Sequence, residues 1–391
     1  MKWLYLILFS LVALVSQMLW LNFGAMGTFM QKNYEIDELM ASLPILVFPL
    51  FYVLLSVNAG AMIDKKGYKP VVSFGVILMS LGSIVRVFHD NFYVMLVGQS
   101  LIAIAQPYII NGISKLVADW FDEKDAGGAI GIGTGFMFIG MGVGIGVSPA
   151  IAGEDGSGYG LMLTIMAAIT VVTSLLFVFG VKTNKKSTAM VISSGGLKDY
   201  GTLLKNKNII ILNLIAFASL GFFNGISGFL EQMLVEQGIK SEDGGMVAAA
   251  LIGGGILGAF IVPMISDKIK RRKIIMIIAA VGATALAYPV MTGNNIGLLY
   301  ALAGTLGFVF LPGYAILLTA SEEEAGKEKA GASTGLIMLF GNFGGVVVVF
   351  LAPILKGEGS WAPAVYLCMG LLVAATLLSF VMKETFRKPT T

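Results

Sequence analysis

The stretch "GAMIDKKGYKP", residues 60–70, decides the reading of this chain. Asp64 and the lysines Lys65, Lys66 and Lys69 interrupt a sequence that is strongly apolar on both sides. A near copy, "PMISDKIKRR", occupies 263–272 and sets Asp267 on Asp64 and Lys268 on Lys65. Pro263 and Lys270 stand there in place of Gly60 and Gly67. The likeness extends outward. "DAGGAIGIGTGFMFIGMGVGIGVSPAI" from Asp125 aligns with "KAGASTGLIMLFGNFGGVVVVFLAPIL" from Lys329, placing Ala126–Gly127 on Ala330–Gly331 and Pro149 on Pro353. The chain is a repeat with an offset of about 203–204 residues.

Composition says what surrounds those stretches. The 391 residues are 57% hydrophobic and only 13% charged, and the mean hydropathy is +0.86. That much apolar surface is a membrane protein's, not a soluble domain's. Glycine is abundant at 50 residues, which suits close helix contact in lipid. One cysteine, Cys368, and one histidine, His89, leave nothing for a disulfide framework or a Cys/His metal site.

Twelve apolar runs approach or exceed the roughly 20 residues a spanning helix needs. They cover 4–30, 39–63, 71–88, 92–121, 127–152, 159–181, 208–235, 244–265, 274–291, 296–320, 330–355 and 362–382. The first runs past signal-peptide length without a clean small-residue cleavage site, so it reads as a true span. Alternate loops, counted from the N-terminus, carry 21 lysines and arginines; the opposite set carries three, Lys32, Lys240 and Lys356. This bias predicts a multi-pass protein of the cell membrane with both termini cytoplasmic. The polar segment 182–207 then divides an N-terminal six-helix half, 1–181, from a C-terminal half and tail, 208–391. The expected fold is all-α: twelve transmembrane helices in two halves related by a parallel pseudo-two-fold repeat. Halves so related rock around a site near the midplane.

The loop stretch resembles the G-x-x-x-D-[RK]-x-G-x-[RK] signature of the major facilitator superfamily, with Gly60, Asp64, Lys65, Gly67 and Lys69 at its positions. The resemblance implies a gating role for these residues and for Asp267 and Lys268. Glycines at 60 and 67 would permit a tight turn and close helix approach, and Asp64 would pair with a helix N-terminus or a cation.

Polar residues within spans are expensive and therefore informative. The superfamily resemblance directs attention to spans one, four, seven and ten as cavity walls. In span one, residues two apart point about 200° from one another, so Trp20 and Asn22 cannot share a face. Gln17, Trp20, Gly24 and Gly27 form the stripe expected to face the cavity, and Asn22 is expected to bond a neighbouring helix. Gln99 and Gln106 share a face of span four, where Pro107 breaks the backbone ladder. Asn111, Lys115 and Asp119 follow on another face, the last two as an expected ion pair for structure or gating. In span seven Asn224, Gly228 and Glu231 share a stripe, Glu231 lying about 10 Å beyond Asn224. Glu231 is expected to attract a cation, carry a coupling proton or cap an outer gate. Phe310 and Tyr314 flank a Pro312–Gly313 break in span ten, and Asn342 is the mid-span polar residue of span eleven.

Four strings, "QMLWLNF", "GQSLIAIAQPYIINGISKLVADWF", "GFFNGISGFLEQM" and "TGLIMLFGNFGG", resemble the feline leukaemia virus subgroup C receptor family, associated with choline, ethanolamine and haem transport. That resemblance implies that Trp20 and Gln106 match substrate-contacting positions. Asn342 stands where the family tends to carry glutamine, and Asn224 where it carries a tyrosine that helps enclose a quaternary ammonium. Phe223, Tyr108 or Tyr314 would have to supply a second ring.

The expected function is alternating-access transport of a small organic solute by a monomer in the lipid bilayer, with Gln17, Trp20, Gln106, Asn224, Tyr314, Asn342 and Glu231 at the site. Uniport and proton coupling through Glu231 both remain open. Multidrug or lipid export is a rival favoured by the 21 methionines. A non-transporting receptor would need larger external loops. No nucleophile–base set, phosphate loop or metal cluster argues for an enzyme, and nothing calls for a cofactor or a nucleic-acid partner. "GIGTGFMFIG" in span five follows no strand and reads as helix packing.

Overall fold

A computed structural model describes residues 1–153, 156–183, 197–326 and 329–386. Within that range the side chains of Asp64, 123–128, 197–199, Asp267, 330 and 331 lie outside the description. The described residues form fifteen helices in two compact units, Met1–Val191 and Ile192–Thr391. The first unit contains α1 (Lys2–Leu21), α2 (Gly27–Tyr34), α3 (Glu38–Lys66), α4 (Tyr68–Val87), α5 (Phe92–Ile110), α6 (Gly112–Trp120), α7 (Glu123–Ala152) and α8 (Tyr159–Gly180). The second contains α9 (Leu197–Leu203), α10 (Lys207–Glu236), α11 (Ser241–Ile269), α12 (Arg272–Thr292), α13 (Ile296–Ala325), α14 (Ala330–Lys356) and α15 (Ala362–Val381).

Twelve segments are long and apolar enough to cross a membrane, with α5 and α6 forming one of them. Large side chains such as Phe74, Phe179, Met264 and Leu377 stand exposed on these helices, as lipid-facing residues do. Polar side chains set several starts. Asp37, Asn91, Asn206 and Asn295 each accept a hydrogen bond from the first turn of the helix that follows, satisfying N–H groups that have no helical partner. Asn91 and Asn295 do so at repeat-related positions.

The repeat is also physical. A Cβ at Gly140 of α7 would strike the carbonyl of Leu14 in α1, and one at Gly344 of α14 would strike that of Phe217 in α10. Both pairs obey the sequence offset. In each unit a span packs backbone to backbone on its partner, a contact that only the smallest residue permits.

Three expectations need correcting. The first span does not run through to residue 30: α1 stops at Leu21, and short-range bonds from Gly24 N to Leu21 O and from Met26 N to Phe23 O turn the chain before α2. Gly24 and Gly27 therefore do not continue the stripe of Gln17 and Trp20. The fourth span is likewise two helices, broken at Asn111, four residues after Pro107. The segment 182–207 is not loop throughout, because α9 lies inside it; 184–196 fall outside the described residues.

Candidate functional site

Gln17 and Trp20 are one turn apart on the last stretch of α1. Gln17 is 3% exposed and Gln106, on α5, is 4% exposed. Neither amide is satisfied: Gln17 Oε1 and Gln106 Nε2 are buried with no hydrogen-bond partner. A buried polar atom without a partner normally costs about 1–3 kcal/mol, so these two call for an explanation. One is an acceptor and the other a donor. Trp20 is half-buried, and its ring lies 6.2 Å from that of Phe48, tilted by 30°. Phe48, wholly buried on α3, is the ring that sequence reasoning missed, because a single phenylalanine in an apolar run carries no distinguishing signal.

Tyr108, one of the three rings considered, is committed elsewhere. It packs edge-on against Phe74 at 5.4 Å, and its hydroxyl donates to Asn58 Oδ1 at 3.0 Å. Gln99 does not line a wall with Gln106 either. Its Nε2 donates to the carbonyls of Leu19 and Pro44, both at 3.1 Å, and its Oε1 accepts from Arg86 Nη1 at 2.5 Å. Asn22 makes the neighbouring-helix bond expected of it: its Oδ1 accepts from the same Nη1 at 3.2 Å. The end of α1 that carries Trp20 is thus held by side chains of α4 and α5.

Near the other end of the unit, Lys115 and Asp119 form an ion pair at 3.1 Å one turn apart on α6. Asn111, at the break, accepts from Tyr52 Oη at 2.7 Å and donates to Ser56 O at 3.2 Å, tying α5 to α3. In the loop motif Lys65 is exposed in the last turn of α3, where a cation suits the helix dipole, and Lys69 is half-buried in the first turn of α4. Gly67 ends α3 with φ 80° and ψ 164°. A Cβ on Gly60 meets open space, so the close approach expected there is absent among the described residues. The pairing expected of Asp64 and Asp267 falls on side chains outside the described residues. Lys268 is exposed in the last turn of α11.

In the second unit Asn224 is 1% exposed on α10. Its Nδ2 donates to Leu220 O at 2.9 Å, its Oδ1 is buried and unpaired, and the amide sits against Gly345 of α14. Asn342 lies one turn before Gly345 on the same side of α14 and is half-buried, its Nδ2 donating to Met338 O at 2.8 Å. Tyr314 donates to Met338 Sδ at 3.2 Å and leans on the apolar cluster of Leu212, Ile316 and Ile337. The structure therefore gathers Asn224, Asn342 and Tyr314 around one stretch of α14. Glu231 is apart from them: 1% exposed, it packs its Cα and Cγ against Gly244 in the first turn of α11. A helix N-terminus beside a carboxylate is a favourable arrangement.

Sequence reasoning also missed a polar clamp at the other end of this unit. Arg272 pairs with Glu323 at 3.0 Å, Glu384 accepts from the backbone N–H of Arg272 at 2.8 Å, and Thr385 Oγ1 donates to Glu323 at 2.9 Å. Its members lie on three distant segments, so no local spacing announces them.

These amides and rings suit a small solute of low charge; no group of three metal-ligating side chains occurs among the described residues. A choline/ethanolamine transporter of Danio rerio, flvcr2a, is 24% identical over 99% of this chain and 87% of its own. Solute carrier family 49 member A3 of Xenopus tropicalis is 25% identical over 90% of this chain and 77% of its own. A solved structure of a bacterial homolog of the human lysosomal transporter Spinster, inward-facing and unoccupied, shares the fold with a TM-score of 0.76 at 15% identity, over 100% of this chain and 99% of that one. Residues 8–349 match the profile of the Major Facilitator Superfamily; the chain belongs to that superfamily, as a non-catalytic secondary transporter that moves an organic solute by alternating access.

Proposed function

We propose that the solute is a small hydroxylated or amino organic cation of the choline and ethanolamine type. The observation that carries this reading is the pair of unsatisfied buried amides, Gln17 Oε1 and Gln106 Nε2, in the same unit as the half-buried indole of Trp20. A hydroxyl group both donates and accepts, so one alcohol can answer an acceptor and a donor. An ammonium group is attracted to the face of an indole, and Phe48 beside Trp20 supplies a second ring. In the second unit Asn224, Asn342 and Tyr314 are the proposed solute contacts, with Glu231 favouring a positive charge. The named activity of the Danio rerio relative supports the same solute class.

The test is a thermal-shift screen of the purified chain against choline, ethanolamine, haem, amino acids, carboxylates and sugars, followed by titration of the hit. Choline or ethanolamine is expected to stabilise the protein. Trp20→Ala should weaken that binding about three- to thirtyfold, the loss of one cation–π contact. Gln106→Ala should weaken it up to about tenfold, the loss of one neutral hydrogen bond. A hit from another class, or a choline response indifferent to both substitutions, overturns the proposal.

A further inference from the structure

Among the described residues Arg86 is the largest wholly buried side chain, and no carboxylate is paired with it. Its seat is built. Gly98 of α5 leaves room for the stem, since a Cβ there would stand 2.7 Å from Arg86 Cγ. Both bonds the guanidinium makes run from Nη1, to Asn22 Oδ1 and Gln99 Oε1. Phe23 offers its ring 5.6 Å from Cζ. Nε and Nη2, which carry three of the five N–H donors, are buried and unpaired.

The neighbours deepen the imbalance. Asn22 Nδ2, on the amide that already touches the guanidinium, is a further buried donor without a partner. So is the hydroxyl of Ser83, one turn earlier on α4. Gln99 has spent its own donors on Leu19 and Pro44. Tyr159 interacts electrostatically with Arg86, and a phenol carries no charge near neutral pH. What the cluster lacks is a negative charge and enough acceptors for its donors. A water molecule would supply only an acceptor, leaving a buried cation at a cost of several kcal/mol.

We propose that Arg86, Asn22 and Ser83 form a binding site for a small monovalent anion of the halide type, held inside the first unit at the junction of α1, α4 and α5. A single positive charge matches a single negative one, so divalent oxyanions are not its ligands. Because Asn22 and Gln99 also fix the end of α1, the anion steadies the helix end that carries Trp20. This site is distinct from the solute contacts.

The probe is chloride, exchanged for gluconate at constant ionic strength with the purified full-length protein. Wild type should bind radioactive chloride saturably, about one ion per chain, with bromide competing. Its melting temperature should fall by about 3 °C or more when chloride is withdrawn. Arg86→Gln should abolish binding, and Asn22→Ala should weaken it about tenfold, one charge-assisted bond being lost. Asn22→Asp places a carboxylate where the amide now meets the guanidinium, and should remove both chloride binding and the chloride dependence of melting. If Arg86→Gln does not fold, Asn22→Asp and Ser83→Ala decide, since both keep the cation. Absence of saturable binding in wild type, or binding that survives Asn22→Asp, overturns the proposal.

Discussion

Gly67 and Lys270 end or follow α3 and α11 at repeat-related positions, and both have positive φ, 80° and 59°. The two turns differ in what they demand. Gly67, at ψ 164°, lies in a region reserved almost wholly for glycine, so Gly67→Ala is expected to cost about 1–3 kcal/mol and lower the melting temperature. Lys270, at ψ 39°, sits in the left-handed helical region at a cost of roughly 1–2 kcal/mol. Lys270→Gly relieves that strain against the roughly 0.5–1 kcal/mol that glycine's extra freedom takes back, and is expected to raise stability by about 0.5–1 kcal/mol. Thermal unfolding of the two variants checks both signs. The glycine-to-lysine exchange is readable by aligning the halves; that both positions take a positive φ is not. Trp20, Gln17 and Gln106 could be picked out as polar or amphipathic groups in apolar runs. Their unsatisfied atoms could not, because satisfaction depends on partners distant in the chain.

At the scale of elements, the spans were legible and their interruptions were not. Hydropathy averages over a window, and residues 22–27, "NFGAMG", remain apolar enough to pass as helix while the backbone turns. The same averaging hid the break at Asn111, although Pro107 marked the neighbourhood. Two carbonyls, one near the C-terminal end of α1 and one in α3, are satisfied by a single side chain from α5. Gln99→Leu removes these bonds and an acceptor for a buried guanidinium together. It is expected to destabilise the protein by about 3 kcal/mol or more. A thermal melt checks the cost, and choline titration of the surviving folded protein should show weaker binding, because the Trp20-bearing end of α1 is no longer fixed. Wild-type affinity in that variant would separate the helix end from the solute contact.

At the scale of the molecule, the duplication read from "DAGG" and "KAGA" recurs in three physical forms: caps at Asn91 and Asn295, backbone contacts at Gly140 and Gly344, and positive φ at Gly67 and Lys270. Repeats were legible because they preserve order along the chain; the clamp around Arg272 was not, because folding alone brings its members together. The lysine and arginine bias predicts the orientation. Green fluorescent protein fused after Thr391 should fluoresce, and alkaline phosphatase fused after Thr292 should be active; the reverse pattern would invert the topology. Arg86 has a further consequence for biogenesis. It is the next-to-last residue of α4, which precedes α5 in the chain and so leaves the ribosome first. A newborn third span can let its arginine reach headgroup water, as long cationic side chains do at helix ends. Asn22 and Phe23 already offer that charge an acceptor and a ring, and Gln99 adds the second acceptor. The full set of partners for the arginine is therefore expected to be complete only once the fourth span has docked.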